Sequence, residues 1–370
     1  PDLRSFSKEK YNIYKAEIIN RLNVIKKTNF KESIYNGFEN SRTLKEYWTK
    51  RFGSKIVNEI LSPISEKFYG DIPDNLSPSS AYFTNLNRIA IFDKDKAYEI
   101  CKSKIIREII AYPDQLNLPP YRTNNQKGLY PKAGMLKVIK SLSNYLSNSG
   151  VQIINEAKIT KILSTGEEYK VFISQSKKNN ITFNVKKILW TGDQESLLKV
   201  TCNDFKNLDT ITKGKSAFIY ARLRKEDIYM PDLYYFYCYE KNMKTFRVTN
   251  MSSYSKKLDS LGRNLICIES HLTNTSKTDQ NKSLKSELLK ELINMKVLLK
   301  IPDESLLDSF FINKRIFPVP KINNDKKISD NFNSFDFGNI YYPGKNQIYS
   351  KKPFFLSDIL KDLYSQIIHD

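Results

Sequence analysis

Residues 130–162 read YPKAGMLKVIKSLSNYLSNSGVQIINEAKITKI, and this order of features limits the fold more than any other stretch of the chain. Met135, Val138, Ile139, Leu142 and Leu146 recur at the spacing that gives a helix one apolar stripe for burial. Gly150 follows, a residue suited to the left-handed position that ends a helix. VQII is then a nearly wholly apolar run of strand length, the pattern of a strand covered on both faces in a parallel sheet. KITKIL supplies a second strand after a turn. A helix laid on a parallel sheet commonly follows a glycine-rich first turn, yet GxGxxG occurs nowhere in these 370 residues.

The rest of the chain changes character twice. Before this segment it is mainly helical. Tyr11, Tyr14, Ile18, Leu22 and Ile25 lie at helical spacing. Thr43 and Glu46 form a capping-box pattern ahead of Leu44, Trp48 and Phe52, and Gly53 is a predicted stop. SKIVNEILSPISEKFYG continues as helix until Pro63, where an interruption is expected. IFDKDKAYEICKSKIIREII predicts a further helical stretch, and NLPPYRTNNQKG a loop. YKVFISQ and ITFNVKKILW extend the strand series. From about residue 205, KSAFIYARL, LYYFYCYE, KTFRVTN, NLICIESHL and SFFINKRIFPVP predict an aromatic, β-branched antiparallel sheet. SLKSELLKELINMKVLLK between them predicts a helix presenting Leu284, Leu288, Leu292 and Met295. GNIYYPGKNQIY predicts a short strand and loop, and PFFLSDILKDLYSQII a last helix.

Several kinds of chemistry have no sequence support. The four cysteines are far apart, and with two histidines they make no zinc pattern. There is no GxSxG, HExxH or GxxxxGK[ST]. No apolar run reaches bilayer length and no signal peptide is visible, so a cytoplasmic location is expected. Sixty Lys and Arg against forty Asp and Glu give a net charge of +20. The lysines are dispersed, so a nucleic-acid stripe is not expected, while peripheral contact with an anionic membrane stays open. Any chemistry is expected to come from a cofactor.

Five blocks in order give the chain a resemblance. YPKAGM with its helix, Gly150 and following strands is similar to the YPxxG block of the flavin amine oxidase and protoporphyrinogen oxidase-like superfamily, which includes UDP-galactopyranose mutase-like enzymes. LKEYWTKRFGSKIVNEILSPISEKFYGDIPDNLSP, VKKILWTGDQESLLKV, FINKRIFPVP and GNIYYPGKNQIYSKKPFFLSDILKDLY resemble further blocks of it. The resemblance implies an α/β and α+β protein: a partial, discontinuous FAD/NAD(P)-binding Rossmann-like domain and a mixed helical and antiparallel-sheet substrate domain. Residues 1–120 and 204–325 would build the substrate domain, and 121–203 and 326–370 the cofactor domain. It also implies that the GxGxxG unit stands upstream in a longer chain, comes from a separate partner, or is lost.

The implied cofactor is FAD, and the implied reaction is hydride transfer from an organic substrate to flavin N5. A mutase-like reaction on a nucleotide sugar is the second reading, and a non-catalytic homologue or partner subunit the third. A homodimer stays open. By resemblance, Tyr130, Pro131, Ala133 and Gly134 would approach the flavin ring and Ile159 the adenine. Thr191 and Gly192 match a turn beside the cofactor, although Asp193 replaces the family's proline. Gly344 matches the glycine where the last strand meets the cofactor, with Lys345 where an acidic residue is usual. Arg122, Lys132 and Arg315 are the candidates for holding substrate. No metal ligand set is expected.

Overall fold

A computed structural model describes residues 1–28, 41–83, 86–114, 118–120, 130–175, 178–192, 194–201, 213–229, 233–255, 261–272, 281–303, 307–318, 321–322, 338–342 and 364. The helices among them are α1 (Lys8–Lys27), α2 (Leu44–Phe52), α3 (Ser54–Ile56), α4 (Ser62–Tyr69), α5 (Lys94–Ile100), α6 (Lys104–Arg107), α7 (Met135–Asn148), α8 (Gln194–Thr201), α9 (Met251–Ser255) and α10 (Asn281–Asn294). The strands are β1 (Ala157–Ser164), β2 (Tyr169–Gln175), β3 (Lys178–Val185), β4 (Ile188–Leu189), β5 (Lys213–Leu223), β6 (Tyr235–Tyr237), β7 (Thr245–Asn250), β8 (Asn264–Leu272), β9 (Leu307–Pro318) and β10 (Ile340–Tyr341). Among the described residues, one parallel strand pair and two antiparallel sheets make a mixed α/β fold.

The first apolar cluster belongs to α1–α6. Tyr14, Ile18, Leu22 and Ile25 turn one face of α1 onto Trp48, Phe52, Ile56 and Leu61. The predicted capping box at α2 is present. Thr43 accepts from the Glu46 N–H at 3.0 Å, and the Glu46 carboxylate accepts from the Arg42 N–H at 2.8 Å. Gly53 ends α2 at φ +90°, where a side chain would also run into Glu17. Glu17 accepts from the N–H groups of Lys55 and Ile56 and so caps the next helix. Pro63 does not interrupt that helix as expected. A π-turn at Val57–Leu61 precedes it, Pro63 falls in the first turn of α4, and helix continues to Tyr69. The backbone stays right-handed helical through Leu61 and Ser62, and the Ser62 N–H bonds the Val57 carbonyl, so it is the wider π-turn ahead of Pro63 that lets the helix run on past a residue without an N–H.

The second cluster lies under a five-stranded antiparallel sheet of order β6-β7-β8-β5-β9. Ala217, Ile219, Ala221, Val248, Ile266 and Ile268 pack on Leu284, Leu288 and Leu292 of α10. The Glu291 carboxylate accepts from the N–H groups of Lys244 and Thr245 at 2.6 and 2.7 Å, fixing α10 to the start of β7. The Lys67 ammonium donates to the carbonyls of Cys238 and Glu240, both at 2.8 Å, joining α4 to this sheet.

The third cluster takes in only the end of the opening segment, through Ile159 and Ile162. β1, β2 and β3 form an antiparallel meander, and β4 pairs with β10 in parallel. Ile162, Tyr169, Val171, Leu197 and Ile340 form its core. Two expectations fail here, for one physical reason. α7 forms and Gly150 ends it at φ +84°, but no residue of α7 is buried. Met135, Ile139 and Leu142 are 50, 59 and 56% exposed. Residues 151–154 are not a strand: the Val151 N–H bonds back to the Leu146 carbonyl, and among the described residues no strand pairs with them. Helix and strand patterns of this kind need a covering layer, and the described residues do not supply it. The predicted last helix, the loop at 117–128 and the final glycine turn fall mostly outside the described residues.

Candidate functional site

Alternation along a strand sends successive side chains to opposite faces. One face of the five-stranded sheet is apolar and covered by α10. The register places two rungs of a different kind on the other face. Tyr220, Cys267, Thr249 and Tyr235 are cross-strand partners in one rung. Phe218, Glu269, Arg247 and Tyr237 are partners in the next. Such neighbours stand close enough for their side chains to interact.

The second rung is electrostatically organised. An Arg247 Nη lies 2.7 Å from a carboxylate oxygen of the buried Glu269. The guanidinium also stands 5.9 Å from the Tyr237 ring centre. The other Glu269 oxygen is 3.3 Å from His271 Nε2, and His271 Nδ1 donates to the Phe68 carbonyl at 3.2 Å. Phe246 lies against the His271 ring at 3.9 Å. Arg247 is therefore held from behind by the Glu269 carboxylate, which stands beside an imidazole anchored to the helical part of the protein. The Arg247 side chain remains partly exposed.

The other polar groups of this face are kept neutral. Burial raises the Tyr237 phenol, and burial together with Cys267 raises Tyr220. Burial pushes the Cys267 thiol up to about 11. Tyr254 is raised too, first by burial and then by Tyr235. At neutral pH these two rungs present the Arg247 guanidinium, the Glu269 carboxylate paired with it, phenol O–H groups and aromatic surfaces. They are equipped to bind and orient rather than to remove a proton.

The thiol gives a pH test. Its folded value lies above its unfolded value of 9.0, so the unfolded chain loses that proton first as pH rises. Stability present below about pH 9 is then lost progressively towards about pH 11. Thermal midpoints measured across that window should fall, and Cys267→Ala should flatten part of the decline. An identical decline in both proteins would contradict this.

The loop before α7 reaches towards the same region. Tyr130 packs on Tyr254 with ring centres 5.5 Å apart, and Tyr254 packs on Tyr234 at 4.8 Å. Gly134 has φ +79°, and nothing lies within 4 Å of where its Cβ would be. Pro131 is half-buried and Lys132 and Ala133 are exposed on that loop. Ile159 is half-buried in β1, paired with Ile173, and packs on the third cluster. Thr191 and Gly192 follow β4 and are exposed. A Cβ on Gly192 would meet the Trp190 indole at 2.9 Å. Arg315 stands in β9, of which the backbone is described. Arg122, Gly344 and Lys345 lie outside the described residues. The structure thus brings Tyr130 to the tyrosine face and sets Ile159 and the β4 turn around the third cluster.

Sequence reading missed Arg247, Glu269, Tyr220, Tyr237 and Cys267. A signal was there. In NLICIESHL the alternate residues Cys267, Glu269 and His271 are polarisable or charged, while Ile266 and Ile268 are aliphatic.

No protein-family model matches the chain, and no curated protein does. Solved structures do resemble it. A crystal structure of reduced UDP-galactopyranose mutase aligns with a TM-score of 0.63 at 14% identity, over 99% of this chain and 74% of that one. A fatty acid isomerase from P. acnes that produces CLA aligns at 0.54 and 13%, over 98% and 76%. An oxidoreductase from Methanosarcina mazei aligns at 0.52 and 12%, over 99% and 76%. At such identities the likeness is one of fold, remote and shared among mutase, isomerase and oxidoreductase. It singles out no family.

The described residues fit only part of an FAD site. The open backbone at Gly134 beside Tyr130 suits close approach by a planar ring. The pyrophosphate end needs a glycine-rich turn at a helix N-terminus, and no GxGxxG is present in this chain. The residues do not make a complete FAD site. Among the described residues no His, Cys, Asp or Glu group could hold a metal, and no helix is long and apolar enough to cross a membrane.

Proposed function

We propose that the chain is the substrate-binding part of an FAD-dependent oxidoreductase acting on an organic molecule. The observation that carries this reading is the gathering of Tyr220, Tyr235, Tyr237 and Arg247 on the sheet face opposite α10, with Tyr130 reaching Tyr254 beside it from the loop that precedes α7. Support comes from the fold, which is shared with an oxidoreductase and with a mutase crystallised in a reduced state. In this reading residues 121–203 and 326–370 contribute to a Rossmann-like cofactor domain, and residues 1–120 and 204–325 form the substrate domain. Tyr130, Pro131, Ala133 and Gly134 are the ring-side residues, with Ile159, Thr191, Gly192, Gly344 and Lys345 along the remainder. Lys132, Arg122 and Arg315 stay as candidates for substrate contact beside Arg247.

The protein's own contribution is positional. Tyr237 and Arg247 offer N–H and O–H donors and a cation, and the tyrosine rings offer flat apolar walls. The chemistry itself would come from the cofactor. A second reading, a mutase-like reaction on a nucleotide sugar, is favoured by the alignment with UDP-galactopyranose mutase and by a net charge of +20 that suits a diphosphate.

Turnover by the natively isolated protein supplied with FAD tests both. The panel contains amines, unsaturated organic substrates and UDP-hexoses. Net two-electron oxidation of an organic substrate is the expected outcome. Isomerisation of a UDP-hexose without net oxidation selects the second reading. Neither reaction, with protein that has bound FAD, overturns both.

A further inference from the structure

Both ring nitrogens of His271 face oxygen atoms that accept protons or hydrogen bonds. The side chain is 7% exposed. Nδ1 stands 3.2 Å from the Phe68 carbonyl, which can only accept, so this nitrogen carries a proton. Nε2 stands 3.3 Å from a carboxylate oxygen of Glu269, a contact that is a charge pair and not an aligned hydrogen bond. A neutral ring with its proton on Nδ1 would set an electron-rich Nε2 against that oxygen in a buried site. One more proton therefore has to be placed on the pair. The Arg247 guanidinium lies 2.7 Å from the other Glu269 oxygen, and pairing of opposite charges puts the proton on the ring. Phe246 and Phe68, with ring centres 3.9 and 4.9 Å from that of the imidazole, offer aromatic surface to a cation.

We infer that His271 is a positioning residue: held as an imidazolium, it takes one oxygen of Glu269 and leaves Arg247 with positive charge to meet an anionic group, a carboxylate or a phosphate, of an organic ligand. Arg247, Glu269 and His271 stand in series, and their charges sum to one positive charge. Without the ring proton Arg247 and Glu269 would cancel, and the neutral phenols and thiol beside them would give an anion no counter-charge. A guanidinium has five N–H donors, of which Glu269 and Tyr237 take only part, and the Arg247 side chain is 38% exposed. The other charged groups on the elements around the ring are committed elsewhere, among the described residues. α4 brings Lys67, bound to the Cys238 and Glu240 carbonyls. α10 brings Glu291, which accepts from the Lys244 and Thr245 N–H groups, and β5 opposes the ring with Ser216. The inference rests on the reading of this sheet face as the one that binds substrate.

The chain has two histidines, so the charge of His271 can be read directly. Nitrogen-15 spectra of the natively isolated, histidine-labelled protein are recorded at about pH 8, where an unperturbed imidazole is neutral. His271 is assigned by the loss of its signals in His271→Gln, or by its contact with the Phe246 ring if that variant does not fold. Both of its ring nitrogens should be protonated. Glu269→Gln, whose amide can donate to Nε2, should return the ring to its neutral form at that pH. Binding of benzoate and phenyl phosphate is then titrated upward from about pH 7, staying below the Cys267 value of about 11, with benzyl alcohol as the uncharged control. Affinity for at least one anion should fall about tenfold as the His271 signals turn neutral, and the alcohol should not follow. The tighter of the two anions tells carboxylate from phosphate. His271→Gln should bind the anions weakly across the whole range. A neutral His271 at about pH 8 would overturn the inference. So would anion binding that ignores the titration of His271, or no anion binding at neutral pH. Protein that passes both tests and takes up no FAD keeps the inference and defeats the flavin reading. Turnover of an organic substrate by protein whose His271 is neutral does the reverse.

Discussion

Arg51→Ala should destabilise the helical part of the protein by about 3–5 kcal/mol, the range for truncating a large side chain in a packed core and a large share of the stability of an ordinary domain. Arg51 is 1% exposed at the centre of the first apolar cluster. One of its guanidinium nitrogens donates to the Asn87 and Glu108 carbonyls at 3.3 and 2.5 Å. Its guanidinium carbon stands 5.1 Å from the Tyr47 ring centre and 5.8 Å from that of Phe52. Alanine would remove the packing and leave two buried carbonyls short of a donor. Arg51→Met restores much of the volume without the donors, so its cost should be smaller, about 1–3 kcal/mol. Urea unfolding midpoints of the two variants separate these contributions. Equal midpoints for both variants would show that the two hydrogen bonds dominate and the lost volume does not matter.

Arg247→Met should weaken substrate binding roughly 10- to 100-fold, the range expected for losing a charge-assisted hydrogen bond. It should also destabilise the fold, because Glu269 would stay buried without its cation. Adding Glu269→Gln separates the two effects. The double variant should regain most of the lost stability while binding stays weak, since the carboxylate matters to the fold and the guanidinium to the substrate. Substrate titrations and thermal midpoints on the four proteins complete the cycle. Recovery of binding together with stability would assign Arg247 a structural role only.

Local features with short-range causes were legible in the sequence. The Thr43–Glu46 capping box, the Gly53 stop, the Gly150 helix end and the strand–helix–strand order after residue 205 all appear where the residues point. Pro63 was misread because its effect depends on the turn before it, a π-turn with no sequence signature. VQII was misread because a strand is a pairing, and the pairing residues are not in the described chain. The same cause left the α7 stripe exposed, so its amphipathic pattern was read correctly and its burial was not. The Arg247–Glu269–His271 series was hidden for another reason. It joins β7, β8 and α4 across register and tertiary contact, which alternation along a single strand can hint at but cannot place.

The measurement that bears most directly on the flavoenzyme reading is the visible absorbance of the protein isolated under native conditions. A flavin spectrum, with FAD released on denaturation, is the predicted result. Colourless protein that takes up no FAD when it is added would contradict the account.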